Sequence, residues 1–320
     1  MSKLVLHIVF LFISLSLWTQ ENLVPNGSFE EYNWCPNTAN GFYINSCKYW
    51  TSPTLGTPDY FNSCSTEYDI TLQRFLFSVP ENYIGNQAAH TGNAYSFFTF
   101  GQNDSNSLTY SENIQIKLNH TLDAGRFYEV SFFVHNPIAN YCINSIGALF
   151  TPNQLNLNTD EILPYNPQFL SNPDVFFCDT NNWYQVKGTF IAQGTEEYMT
   201  IGVFKSLPEL KVKDYNGNFL NGLSAAIYID DVYLKETELQ ISNIFTPNGD
   251  GLNDYYHLNL KGIGAKKAEI YNRWGNLIFQ CEDTLNWDGT FNGIDCTEGV
   301  YFIRIIFEDN NVNGFIHLMK

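Results

Sequence analysis

Charge is what this chain has least of. Only 15% of its 320 residues are charged, and Asp and Glu outnumber Lys and Arg by 33 to 16, for a formal charge of −17. With so few cations there is no basic face to offer nucleic acid or anionic lipid, which excludes both as partners. Long apolar runs are also missing. Leu4 to Leu17 is the one extended apolar stretch, and it is too short to span a bilayer comfortably. No segment keeps a helical period for long. Catalytic signatures are absent too, with no Gly-x-Ser-x-Gly elbow, His-Glu-x-x-His helix or phosphate-binding glycine loop. His90 and His135 are the histidines best placed for chemistry in the first two thirds of the chain. The adjacent pairs Glu30-Glu31 and Glu196-Glu197 point to opposite faces of a strand, so neither alone makes a two-carboxylate glycosidase site. These gaps predict a protein that binds without catalysing.

Aromatics are abundant, with 26 Phe and 20 Tyr among the 16% aromatic residues. Such residues suit a pleated, half-buried surface. Period-2 patterns recur. Ile114, Ile116 and Leu118 share one face, as do Tyr128, Val130, Phe132 and Val134, and later Met199, Ile201 and Val203. The expected class is all-β, an antiparallel jelly-roll sandwich followed by a smaller Ig-like sandwich. Thr151 to Asp174, polar and carrying four prolines, reads as a long surface excursion. Lys205 to Gly222 reads as an exposed loop, and Lys235 to Gln240 as a short linker.

The N-terminus has the form of a signal peptide over residues 1–20. Lys3 supplies the positive end, the apolar stretch follows, and Thr19-Gln20-Glu21-Asn22 begins a polar mature chain. No cysteine lies nearby for lipid attachment, so export without membrane insertion is expected. In an exported chain the seven cysteines should be mostly oxidised. Cys281 and Cys296 bracket a Trp287-Asp288-Gly289 turn and are expected to pair. Cys35, Cys47, Cys64, Cys142 and Cys178 are an odd set, so one is free or intermolecular. Their connectivity is open, and Cys35–Cys64 and Cys142–Cys178 are the pairings we favour.

Four motifs follow one another in the last part of the chain. The first is Ile244-Phe245-Thr246-Pro247-Asn248-Gly249-Asp250-Gly251-Leu252-Asn253-Asp254. Tyr271-Asn272-Arg273-Trp274-Gly275, Trp287-Asp288-Gly289-Thr290 and Gly299-Val300-Tyr301-Phe302 come after it. In this order they resemble the gliding-motility-associated C-terminal domain, the type-B sorting domain of cargo of the bacterial type IX secretion system. The resemblance covers roughly residues 239–320. It implies the type IX machinery as a partner and delivery outside, or onto the outer surface of, a Gram-negative cell. Trp274 and Trp287 are expected to be packing residues there. The oxygen-rich Asn248 to Asp254 stretch is either a set of Asx turns or a cation loop lacking the final Glu of an EF-hand.

A second resemblance covers residues 22–236. The opening Asn22-Leu23-Val24-Pro25-Asn26-Gly27-Ser28-Phe29-Glu30 and the closing Tyr228-Ile229-Asp230-Asp231-Val232-Tyr233-Leu234 are similar to the terminal strands of galactose-binding-like jelly rolls. Many carbohydrate-binding modules share that fold. The alternation puts Asp231 on the face of Ile227 and Ile229, and a carboxylate drawn inward with them costs several kcal/mol, roughly, without a partner. Structural calcium held by Glu30, Asp230 and Asp231 would remove that cost, and the resemblance implies calcium at this place. Trp50, Tyr60, Tyr83 and Trp183 are the candidate rings for stacking on a sugar. The expected function is glycan binding or adhesion. A carbohydrate-active enzyme and a structural protein binding another protein are the alternatives.

Overall fold

A computed structural model describes residues 21–101, 110–137, 141–204, 212–214, 225–239, 241–260, 263–308 and 311–320. The signal peptide and nearly all of the 205–222 loop lie outside the described residues. Among those described there is no α-helix, and a 3-10 turn spans Ile44–Ser46. None therefore holds a helix long and apolar enough to cross a membrane.

The front part contains β1 (Trp50–Thr51), β2 (Asp59–Asn62), β3 (Tyr68–Asp69), β4 (Arg74–Phe75), β5 (Ala94–Gly101), β6 (Tyr110–Ser111), β7 (Ile114–Lys117) and β8 (Phe127–His135). It continues with β9 (Tyr141–Ile143), β10 (Gly147–Thr151), β11 (Phe169–Leu170), β12 (Tyr184–Ile191), β13 (Tyr198–Gly202), β14 (Val212–Asp214) and β15 (Ala225–Thr237). Two sheets face each other, one ordered β1-β7-β13-β10-β11 and the other β12-β8-β15-β5-β2 with β6 on β5. The alternation read from sequence decides which side chains meet between them. Ile114, Ile116, Tyr128, Val130, Phe132, Val134, Met199, Ile201 and Val203 are all buried in one core. The antiparallel pairing of β8 with β12 and β15 carries this division across the sheet, since directly paired residues share a face.

Both outer faces are covered as well. Phe77, Val79, Tyr83 and Ile84 fold back over Phe61, Tyr95, Phe97 and Tyr228 on the β2-β5-β15 side. Asn82 ties this cover down, donating to the Tyr95 hydroxyl at 2.8 Å and accepting from the Tyr228 hydroxyl at 2.9 Å. On the other sheet the proline-rich excursion returns, with Leu155, Leu157 and Leu163 packing near Leu149 and Phe204. Gln115, buried beneath it, accepts from the Leu155 N–H at 3.1 Å and donates to Thr200 Oγ1 at 2.9 Å. The excursion is thus a second layer. Its leucines supply the apolar face, and its prolines need no ladder hydrogen bonds.

Cys35–Cys64 and Cys142–Cys178 are disulfides, as favoured from the sequence, and buried Cys47 is the unpaired thiol of the front part.

The C-terminal part holds β16 (Ile244–Phe245), β17 (Tyr256–Asn259), β18 (Lys267–Tyr271), β19 (Leu277–Cys281), β20 (Thr284–Trp287), β21 (Thr290–Phe291), β22 (Ile294–Asp295), β23 (Gly299–Ile306) and β24 (Asn311–Leu318). A sheet ordered β16-β24-β23-β18-β19 packs against the β17-β20 ribbon around a second core containing Trp287, Tyr256, Tyr301 and Ile303. The expected Cys281–Cys296 bond is a correction, because both are free thiols. Cys281 ends β19 opposite Ala268, whereas Cys296 follows the β21-β22 hairpin with its N–H on the Gly289 carbonyl. Both lean on the same core from different elements.

Candidate functional site

The opening segment, residues 22–30, builds the site together with β15; expected as a strand, it is a run of bends and turns pinned to β15. Asn22 accepts the N–H groups of Val24 and Leu234 and donates to the Val232 carbonyl at 2.9 Å. Gly27 lies so close to β15 that a Cβ there would stand 2.0 Å from the Val232 carbonyl oxygen, so only glycine permits the approach. At that point β15 carries a β-bulge between Asp230 and Tyr233, with Asp231 at φ 47°.

The bulge overturns the alternation expected here. Asp230, not Asp231, is the buried carboxylate, and it lies on the outer face beneath the 90–93 loop. It accepts the N–H of His90 at 2.8 Å, of Thr91 at 3.3 Å and of Asp231 at 2.6 Å. Burial pushes the Asp230 pKa up, the adjacent Asp231 adds to this, and the three N–H donors pull it back. Asp231, half-buried, meets the His90 ring nitrogen at 2.5 Å and the Thr91 hydroxyl at 2.7 Å. Glu30 accepts the Asn93 N–H at 2.8 Å, and Gly92 is the residue that lets its carboxylate come in so close.

All three carboxylates expected to bind calcium therefore grip one loop. Each already has hydrogen-bond donors, and among the described residues no group of three or more His, Cys, Asp or Glu is placed to hold a metal ion. The donors suit a latch that holds the 90–93 loop.

Beside the latch is an open recess of about 510 Å³. Phe133 of β8 and Tyr233 of β15, both half-buried, stand in its wall with Ser28, Ser131, Gln185 and Asp231. Phe133 is held by the His90 ring, stacked on it at 3.5 Å and 16°. Among the described residues no Lys, Arg or His lines the recess, and the one formal charge in their lining is that of Asp231, which the His90 ring nitrogen meets. Its volume falls in the range of small-ligand sites, and it combines aromatic surface with a few amide and hydroxyl groups.

The rings proposed from sequence are elsewhere. Trp50 is buried, stacked on Phe29 at 4.9 Å with its indole N–H on the Asn26 carbonyl. Tyr60 is buried too, its hydroxyl donating to the Phe29 carbonyl at 2.8 Å. Neither can touch a ligand, because the strands that carry them turn them into the core. Tyr83 is spent on the cover, its hydroxyl donating to the buried Asp59. Trp183 donates to the Ala88 carbonyl at 3.0 Å and leans on His90 and His135. Burial lowers the His135 pKa.

In the second sandwich, Asn248 to Asp254 is a set of Asx turns. The Asp254 carboxylate accepts the N–H groups of Gly249 at 2.6 Å and Gly251 at 2.8 Å, which lowers its pKa, and Asp250 accepts that of Leu252. Gly249, Gly251 and Asn253 all have positive φ, the conformation these residues tolerate. Pro247 and Phe245 close over Gly289, and Asp288 caps the Thr290 N–H and hydroxyl. Trp287 is buried between Phe245 and Tyr301. Trp274 is not a packing residue: it is 75% exposed on the turn that Asn272 and Gly275 form, with the Arg273 guanidinium 5.0 Å from its ring. Gly299 opens β23 at φ 139°, and the Tyr301 hydroxyl donates to the Thr297 carbonyl.

Two sandwiches, one with a covered sheet pair and a recess, the other built on turn motifs, define an all-β protein of two parts. Residues 239–318, the second sandwich, match the model of the CHU_C Type IX secretion signal domain. The front part is similar to solved carbohydrate-binding modules. One, described as "CBM4 structure and function", is 15% identical over 67% of this chain and 99% of its own, with a TM-score of 0.30. TmCBM61 in complex with β-1,4-galactotriose is 13% identical over 68% and 99%, with a TM-score of 0.27. The CBM22-1 xylan-binding domain from Paenibacillus barcinonensis is 9% identical over 69% and 97%, with a TM-score of 0.31. No curated protein sequence matches the chain.

Proposed function

We propose that the front module binds a short neutral glycan without catalysis, and that the type IX signal domain carries it outside the cell or onto the outer surface. The supporting observation is the recess between the opening segment 22–28 and the β15 bulge. Phe133 and Tyr233 offer ring faces for the apolar side of a sugar, and Ser28, Ser131 and Gln185 offer hydroxyl and amide partners for its hydroxyls. With Asp231 the only charge in the wall and a strongly acidic chain around it, a uronate or sulfated sugar meets repulsion and no compensating cation. A glycosidase needs two carboxylates flanking one bond, and this wall supplies one.

The test is a glycan array probed with the full mature chain. Neutral oligosaccharides are expected to be retained, and uronate and sulfated ones are not. Retention only of acidic glycans, or of none, refutes the reading.

A further inference from the structure

The two sandwiches are not joined by a free tether. β15 stays paired with β8 down to Thr237 opposite Phe127, and the signal domain begins at residue 239. Phe127 opens β8 on the outer face of its sheet and is 8% exposed. What buries it is the core of the second sandwich: its ring stands 5.6 Å from Phe307 at 73°, in an edge-on contact. Ile191, the last residue of β12 and the register partner of Phe127, packs against the same core, as do Leu239 and Ile241 of the connection. The lower edge of the front module thus contributes side chains to a domain that is not its own.

A small sandwich buries a smaller share of its surface than a large one, so each core contact matters more to it. Without Phe127, Phe307 would lose the edge-on ring that covers it from the front module.

We infer that the lower edge of the jelly roll is a docking surface for this chain's own signal domain and completes its core. The export signal is then fully ordered only on chains whose front module has folded. The sorting motifs report on the passenger as well as on themselves.

Hydrogen exchange on the full chain tests this. Phe127→Ala is expected to speed exchange of the β23 and β24 amides by about tenfold or more, while amides of β5 and β13 keep parent protection. Because Phe127 is also a strand residue of the jelly roll, Ile191→Ala, at the very end of an edge strand, is the second variant. It is expected to loosen the same β23 and β24 amides and decides the matter should Phe127→Ala also loosen β5. Parent protection of β23 and β24 in Ile191→Ala, together with parent protection or a general loosening in Phe127→Ala, overturns the inference.

Discussion

Replacing Asp59 by Asn removes a buried acid that holds the cover over the front module. Asp59 sits on β2, 7% exposed, and accepts the Tyr83 hydroxyl. Burial pushes its pKa from 3.8 up to about 7, the Tyr83 bond opposes this, and the buried Glu112 adds repulsion. Glu112 itself is held by the N–H groups and hydroxyls of Thr57 and Thr99 and by the Tyr110 hydroxyl. The folded chain therefore keeps a proton on Asp59 that the unfolded chain releases near pH 4. Between those values the folded state binds more protons, so this group makes stability fall as pH rises, by about 1.4 kcal/mol per pH unit. From pH 5 to pH 7, with the slope halved as the folded pKa is reached, that amounts to about 2.3 kcal/mol. The asparagine variant lacks the dependence, so its Tm relative to the parent should climb by roughly 5–9 °C over that interval. Thermal unfolding at matched ionic strength from pH 5 to 8 measures it. A constant offset from altered packing does not matter, since the slope is what is read. Parallel pH profiles for parent and variant would refute the reasoning.

Chelation should leave the Tm of the mature chain unchanged, because Glu30, Asp230 and Asp231 already have donors. A fall of several degrees, restored by calcium, returns them to the role of ligands. Asp230→Ala leaves three part-buried N–H groups without their acceptor and should cost about 1–3 kcal/mol, seen in denaturant unfolding at neutral pH. In the second sandwich Trp287→Ala should cost about 3–5 kcal/mol, whereas Trp274→Ala on its exposed turn should stay within about 0.5 kcal/mol. Alkylation of the native protein with iodoacetamide should reach Cys281 and Cys296, half-buried with pKa values raised by burial. Cys47, whose thiol burial pushes up much further, should react only after unfolding, which peptide mass mapping resolves.

Much of the architecture was legible because strand burial has a period of two. Tyr128 to Val134 and Ile114 to Leu118 could be assigned to a core face from alternation alone. The same rule failed where the backbone broke it. A bulge at Asp231 shifts every later side chain of β15 by one face, and nothing in Tyr228 to Leu234 marks the extra residue. Two of the candidate rings were misread for a different reason. In a chain this rich in aromatics, buried Trp50 and Tyr60 look no different in sequence from half-buried Phe133 and Tyr233. The one available signal was an apolar Phe133 on the polar side of a strand whose core face was already complete. The two outer covers were also hidden, since residues such as Leu155, Leu157 and Val79 find partners far away in sequence. Turn chemistry read best, because the Asx and glycine motifs of the second sandwich depend on neighbours a few residues apart.

On the proposed reading, Phe133 and Tyr233 meet a neutral sugar in the recess. Titration calorimetry of the parent, Phe133→Ala and Tyr233→Ala chains with a neutral oligosaccharide retained on the array tests it most directly. Each truncation is predicted to weaken binding by about tenfold, while Tyr43→Ala, an exposed ring away from the recess, leaves it unchanged. Parent affinity in both recess variants contradicts the account.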